Sequence, residues 1–75
     1  MEINEFITYF ADLFEDTDPK EISAGTAFRE LDEWDSLIAL AVLNMTEKKY
    51  GKRLTFEEMK KCTTVGDLFD VISAK

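Results

Sequence analysis

The sequence contains no histidine, and cysteine and tryptophan occur once each, as Cys62 and Trp34. Histidine is the usual general base near neutral pH and the commonest zinc ligand, so both roles would fall to other side chains. A single cysteine excludes an internal disulfide bond. A chain of 75 residues buries only about 60% of the surface that its unfolded form exposes, which leaves little room for an enclosed active site. We therefore expect neither an enzyme nor a metal site.

Long apolar runs are missing as well. No stretch approaches the roughly 20 apolar residues of a membrane-spanning helix, and the start, MEINEF, lacks the basic residues and the apolar stretch of a signal peptide. Hydrophobic residues make up 45% of the chain and charged residues 33%, which is typical of a folded soluble domain. We expect a cytoplasmic protein that forms one domain over residues 1–75.

Basic side chains are scarce in the first half of the chain. Residues 1–36 contain eleven acidic and two basic residues, residues 37–75 contain five acidic and seven basic ones, and the net charge is −7. Such a protein repels the phosphates of nucleic acids and of anionic membranes. The charge therefore predicts partners with basic surfaces and no binding to nucleic acids.

The first predicted helix carries one apolar stripe. Its members recur at helical spacing: Ile3, Phe6, Ile7, Phe10, Leu13 and Phe14. The sequence DTDP then ends the helix, because proline disfavours helical geometry in the residue before it. The connection that follows, residues 16–34, is unusually long for so small a domain. We expect Ile22, Phe28 and Leu31 to anchor it to the core, and a short helical turn at TAFREL to be capped by Thr26.

The second main helix is predicted by its ends. Asp35 is a favoured N-cap and Gly51 a favoured C-terminal stop, so the helix is expected to run from Ser36 to Tyr50. Residues 37–43 are apolar on every side. A helix that is apolar all round is buried all round or meets a partner. In so small a bundle, part of this surface must face outward.

Two further helices begin with a capping box, in which a threonine and an acid three residues later bond to each other's backbone N–H groups. The boxes comprise Thr55 with Glu58 and Thr64 with Asp67. The first box precedes a short helix and the second precedes the last helix. The whole pattern predicts an all-α fold, a small four-helix bundle of three main helices and one short helix, with a long loop between the first and second main helices.

Ser36 lies where the acidic loop ends and the apolar helix begins. Serine is a common residue at helix starts for purely structural reasons. However, a helix N-terminus also suits an attached phosphate, and the tip of a long exposed loop is accessible to a modifying enzyme. Because the chain has no histidine, Ser36 lacks the base of a serine hydrolase. If Ser36 reacts, a group from another protein must activate it.

The order of motifs around Ser36 resembles the acyl carrier protein family. The resemblance rests on FRELDEWDSL with its Asp-Ser-Leu signature, on the following helix ending in EKKYGKRL, and on the closing TTVGDLFDVI. It implies that Ser36, flanked by Asp35 and Leu37, carries a covalent 4′-phosphopantetheine arm. A separate phosphopantetheinyl transferase would install the arm from coenzyme A, with magnesium as the metal of that enzyme. The domain would be a monomer that catalyses nothing itself.

The resemblance also implies two surfaces. Acyl-loading and acyl-processing enzymes, with basic or apolar docking surfaces, would meet the loop and the helix after it, at Glu30, Asp32, Glu33, Ile38, Ala39, Ala41 and Glu47. An acyl chain would lie in a cleft lined by Phe28, Leu54, Met59, Cys62 and Leu68. The alternative for these five residues is that they form ordinary core.

Two departures from the family pattern concern recognition. Carriers of primary fatty-acid synthesis usually have acidic residues along the helix after the serine, whereas this chain has the apolar run LIALAVL. The tryptophan before the signature, Trp34, resembles stand-alone carriers outside that pathway. Both features indicate a specialised carrier with dedicated partners. A fatty-acid or polyketide-like carrier, a peptidyl or aminoacyl carrier, and an unmodified acidic helical adaptor all stay open at this point.

Overall fold

The computed structural model describes residues 2–75. Within this range the chain forms four α-helices and no strand, apart from one isolated bridge between Ala27 and Thr64. The helices are α1 (Ile3–Ala11), α2 (Ser36–Tyr50), α3 (Phe56–Lys60) and α4 (Val65–Ser73). The predicted all-α bundle of three main helices and one short helix is thereby confirmed. No helix in this range combines the length and the apolar content needed to cross a membrane.

Helix α1 is shorter than its apolar stripe predicts. It ends at Ala11, and the N–H groups of Leu13 and Phe14 donate to carbonyls only three residues back, at 3.2 and 3.1 Å. The chain therefore tightens into a turn well before DTDP. This turn still buries Phe14, whose ring centroid lies 5.4 Å from that of Phe10. Phe6, Phe10 and Phe14 of the stripe are buried, and Ile7 and Leu13 pack against the core, but the helix ends earlier than predicted.

The long loop is partly structured and is attached to the start of α4. It contains two short 3₁₀ turns, Pro19–Glu21 and Phe28–Glu30. The backbone N–H of Gly66 donates to the carbonyl of Ala24 at 2.8 Å, and a Cβ atom on Gly66 would lie 3.0 Å from that oxygen. Glycine at position 66 therefore permits a close approach that any larger residue would strain. This contact fixes the middle of the loop against α4.

The predicted anchor residues of the loop contact the core, but the predicted cap of its helical turn is absent. Ile22 and Phe28 are buried, and Leu31 packs against the core. Thr26 does not cap the turn at TAFREL, because its hydroxyl accepts from the N–H of Ser23 at 2.8 Å and donates to the Glu21 carbonyl at 3.2 Å. The hydroxyl is used within the loop, where a local Ser-Thr contact competes successfully with capping.

Helix α2 has the predicted bounds. A carboxylate oxygen of Asp35 accepts from the N–H of Ile38 at 2.8 Å, and Gly51 has the left-handed φ of 65° that favours glycine at a helix end. Both predicted capping boxes are also present, at the starts of α3 and α4. These local bonds place Ser36 as the first residue of a well-defined helix.

One apolar core joins the four helices and the loop. Phe6 and Phe10 of α1 and Phe28 of the loop are fully buried. Helix α4 contributes residues from one face, at spacings of three and four. These are Val65, Leu68 and Ile72. The aromatic rings at the loop end of this core support the segment that leads to Ser36.

Candidate functional site

Ser36 is exposed at the start of α2. The N–H of Ile38 donates to the Asp35 side chain at 2.8 Å, and the N–H of Ala39 makes the first intrahelical bond, to the Asp35 carbonyl at 3.0 Å. The N–H groups of Ser36 and Leu37 are the two remaining first-turn donors. The serine hydroxyl thus lies at the positive end of a 15-residue helix, where an attached anion is stabilised.

A groove of about 300 Å³ adjoins Ser36. We call it the Ser36 groove. It is lined by Arg29, Trp34, Asp35, Ser36, Ala39, Phe56, Met59 and Lys60. Most of these walls are apolar, and two of the side chains are cationic. The cations suit a phosphate ester on the serine, and the apolar walls suit an organic group attached to that phosphate.

Trp34 forms a fixed wall of this groove. Its ring lies 4.8 Å from the Phe28 ring in an edge-on arrangement, and 6.3 Å from the Phe10 ring with the planes 16° apart. Such aromatic contacts add to the burial of a large side chain. Trp34, one of the two departures from the family pattern, is therefore held in place by the core.

Arg29 was not predicted as a site residue, yet it joins the loop to α3. Its guanidinium donates to the Met59 carbonyl at 3.0 Å, to the Lys60 carbonyl at 3.4 Å and to the Cys62 carbonyl. It also lies 5.0 Å from the centre of the Phe28 ring. The partners are thirty or more residues away in sequence, so no local pattern could have indicated them.

The residues of the predicted acyl cleft are buried. Phe28, Cys62 and Leu68 are at most 2% exposed and belong to the closed core. Burial raises the pKa of the Cys62 thiol, which donates to the Glu58 carbonyl at 3.4 Å and so behaves as a core residue. Of the five expected cleft residues, only Met59 lines the Ser36 groove. Leu54 lines a different groove, described below. The burial of Phe28, Cys62 and Leu68 matches the alternative that they form ordinary core, and the acyl cleft stays a prediction.

The acidic loop divides into exposed and internally bonded carboxylates. Glu30 and Asp32 are exposed. Glu33 accepts hydrogen bonds from the Thr17 hydroxyl at 2.6 Å and from the backbone N–H groups of Glu15, Asp16 and Thr17 at 3.1, 2.8 and 2.5 Å. Glu33 therefore tethers the two ends of the loop, and its predicted contact with partner enzymes stays a prediction.

The Glu33 tether predicts a dependence of stability on pH. The hydrogen bond from Thr17 contributes most to lowering the pKa of Glu33, partial burial opposes it, and the backbone N–H groups lower it further. Because the folded-state pKa is lowered, the stabilisation is complete above the ordinary glutamate pKa and is lost as the pH falls through the folded-state value. We expect the urea midpoint of the native chain to fall more steeply between about pH 6 and pH 3 than that of Glu33→Gln.

Asp32→Asn is the matched control for this tether, because Asp32 is the exposed neighbour of Glu33. Its midpoint should follow that of the native chain across the range. Hydrogen bonds also lower the pKa values of Glu58 and Asp67, and these residues contribute equally in all three proteins. If the urea midpoints of the native chain and of Glu33→Gln depended on pH in the same way, the Glu33 tether would contribute nothing to the pH dependence of stability.

Helix α2 presents an apolar face to solvent. Leu37 is 77% exposed and Leu40 45% exposed, and Phe56 at the start of α3 is 48% exposed. Ala39 is only 7% exposed and packs in the core, and its predicted place on the docking surface stays a prediction. The remaining expected docking residues of α2 are partly buried or exposed: Ile38, Ala41 and Glu47.

A second groove extends the apolar face toward α3. It has a volume of about 310 Å³ and is lined by Leu40, Leu43, Asn44, Glu47, Arg53, Leu54, Thr55 and Phe56. Leu40 and Phe56 border this groove, and Phe56 also borders the Ser36 groove. Phe56 therefore links the two grooves at the start of α3.

One comparison with known proteins identifies a family. A family model described as a phosphopantetheine attachment site matches residues 4–72. No curated protein matches the chain. The matched range extends from α1 to α4 and includes Ser36 and every residue that lines the Ser36 groove. The resemblance inferred from the sequence is confirmed at the level of the family, and so is its prosthetic group.

Proposed function

The chain belongs to the phosphopantetheine attachment site family, and we propose that it is an acyl carrier whose 4′-phosphopantetheine arm is attached to Ser36. Members of the family bear this group and are carriers rather than catalysts. When bound, the arm supplies a terminal thiol that holds an acyl group as a thioester. The acyl group would belong to fatty-acid synthesis or to a specialised, polyketide-like pathway.

The observation that carries this proposal is the position of Ser36. It is the first residue of α2, it is exposed, and it borders a groove with two cationic side chains. Asp35 satisfies the N–H of Ile38, which leaves the N–H groups of Ser36 and Leu37 for an anion. Ser23 and Ser73, the other two serines, lack this combination of features.

The residues around Ser36 fit the chemistry of the arm. The first-turn N–H groups, Arg29 and Lys60 would stabilise the negative charge of the phosphodiester. Trp34, Phe56 and Met59 would pack against its apolar part. Asp35 is held by its capping bond, so it fixes the helix start rather than acting as a base. The proton of the Ser36 hydroxyl would therefore leave to a base of the phosphopantetheinyl transferase.

Partners would meet the surface on either side of Ser36. The exposed Glu30 and Asp32 favour basic docking surfaces, and long-range attraction of this kind raises the rate of encounter more than the affinity. Leu37 and Leu40 favour an apolar contact at the centre of the interface. A weak polar rim around a small apolar centre suits a carrier that must leave each enzyme quickly.

Leu37→Ser and Leu40→Ser test this docking surface. Because both side chains are exposed, we expect little change in the midpoint of thermal unfolding. Loading by the phosphopantetheinyl transferase should become slower at low carrier concentration, with kcat/KM reduced by roughly 5- to 30-fold, or about 1–2 kcal/mol. Lys48→Ser, at the other end of α2, is the control. Unchanged kcat/KM in both leucine variants would place the docking surface elsewhere.

Intact-mass measurement tests the proposed function itself. The chain is incubated with coenzyme A, magnesium and a phosphopantetheinyl transferase. We expect a mass increase that equals one phosphopantetheinyl group. No increase on the folded chain would contradict the carrier function and would favour the unmodified adaptor, which the exposed Leu37 and Leu40 also suit.

The loaded chain then distinguishes between carrier classes. We expect enzymes that transfer acyl groups from acyl thioesters to charge the arm. Adenylating enzymes specific for amino acids should leave it free. Charging by an adenylating enzyme alone would identify a peptidyl or aminoacyl carrier instead.

A further inference from the structure

Arg29 separates the Ser36 groove from the buried residues behind it. The side chain lines the groove, while its guanidinium lies against the Phe28 ring and donates to the Cys62 carbonyl. Phe28 and Cys62 are at most 2% exposed. A chain that entered the core from the groove at this point would have to displace Arg29.

Displacing Arg29 is unfavourable because its guanidinium interacts with the C-terminal end of α3. The guanidinium satisfies the carbonyls of Met59, Lys60 and Cys62 at the end of α3, where a cation is also favoured by the helix dipole. Removing it leaves the partly buried carbonyls of Met59 and Cys62 without this partner, which is destabilising. Arg29 also binds with a planar fork that a lysine cannot reproduce.

The core behind Arg29 offers no compensating space. Phe28 contacts Phe10 and Trp34 through edge-on aromatic packing, at 6.3 and 4.8 Å. Leu68 is fully buried in the same cluster. An acyl chain would have to separate these rings, and overpacking a dense core is itself destabilising.

We propose that Arg29 is a specificity-determining residue that keeps the acyl group outside the core. This inference rests on the proposed attachment at Ser36. The carrier then holds its acyl group at the surface, in or beyond the Ser36 groove of about 300 Å³. Its cargo class is short acyl groups, because a long aliphatic chain gains no shelter on this carrier.

The test compares a short and a long thioester. A phosphopantetheinyl transferase loads the native chain with acetyl-coenzyme A or dodecanoyl-coenzyme A, and intact mass verifies each product. Hydroxylamine then cleaves the thioesters, and each rate is divided by that of the same thioester on free coenzyme A. We expect the two normalised rates of the native chain to agree within about twofold. Each methylene group that became buried would slow the cleavage of the long thioester by roughly fourfold, so even one would be detected.

Arg29→Ala should vacate the space that the arginine side chain fills against the Phe28 ring, so that part of the long chain can be buried there without separating the aromatic rings. Burial of two methylene groups corresponds to roughly a fifteenfold shift between sheltered and exposed chain, so the normalised dodecanoyl rate should fall about fifteenfold below the acetyl rate. Arg53→Ala, which removes an exposed arginine from the second groove, should behave as the native chain. Arg29→Lys keeps the charge without the three-carbonyl contact, and replaces Arg29→Ala if circular dichroism shows that the alanine variant is unfolded.

The outcomes separate this inference from the proposed function. Protection of the long thioester in the native chain, or no protection in the folded Arg29 variant, would overturn the role of Arg29 and leave the carrier function intact. Failure of the native chain to accept any acyl-phosphopantetheinyl group would overturn both. Length-independent cleavage in the native chain together with length-dependent cleavage in the Arg29 variant supports the inference.

Discussion

Ser36→Ala is expected to abolish loading by a phosphopantetheinyl transferase completely. The hydroxyl of Ser36 is the atom that would bond to phosphorus, and no other residue occupies the same place at the start of α2. The backbone of the helix is unaffected, because Asp35 and not Ser36 provides the cap. Intact mass after incubation with coenzyme A should therefore show only the unmodified chain.

Ser23→Ala is the matched control for this loss. Ser23 is also an exposed serine of the first half of the chain, but its backbone N–H bonds to the Thr26 hydroxyl within the loop and no helix begins there. This variant should gain the same mass as the native chain. A mass increase that persists in Ser36→Ala would mean that the attachment site is wrong even though the family is right.

Phe28→Ala is expected to destabilise the fold by about 3–5 kcal/mol. Phe28 is fully buried, and its ring contacts Phe10 and Trp34 while the Arg29 guanidinium lies over it. The substitution removes the ring from a densely packed core that cannot fully collapse around the space. Since a domain is typically stable by only about 5–15 kcal/mol, urea unfolding should move to much lower concentrations.

Phe56→Ala provides the same chemical change at the surface. Phe56 is 48% exposed and lies at the start of α3. Its free energy of unfolding should therefore change far less than that of Phe28→Ala, by about 0.5 kcal/mol. Equal and small effects for both variants would indicate that Phe28 borders an open cleft, as the sequence-based expectation had it, and would contradict the closed core.

The parts of the fold that depend on neighbouring residues were predictable from the sequence. Asp35 and Gly51 define α2 through bonds and backbone angles within a few residues of each helix end. The two threonine capping boxes likewise depend on residues three positions apart. Ser36 followed from the same local information, because its position is set by the cap before it.

Features that depend on distant residues were not predictable. Arg29 bonds to carbonyls 30 to 33 residues away, and Glu33 bonds to N–H groups 16 to 18 residues away. Both residues resemble ordinary loop charges in the sequence. The run after Ser36 is apolar on every side, so its pattern could not indicate that Ala39 faces the core while Leu37 faces solvent.

Whether a cleft lies between buried residues is also hard to predict from the sequence. Apolar residues at core spacing predict burial, but they do not predict whether the buried residues leave a space between them. Here the aromatic rings of Phe10, Phe28 and Trp34 fill the region next to the groove. The number of large aromatic residues in the first half of the chain was visible in the sequence, whereas their mutual contacts were not.

Fragment-ion mass spectrometry of the loaded native chain tests the central claim most directly. The chain is loaded with coenzyme A and a phosphopantetheinyl transferase, digested, and sequenced by fragmentation to locate the added mass. We expect the phosphopantetheinyl group to lie on Ser36 and on no other residue. Its location on Ser23, on Ser73 or on any threonine would contradict the account.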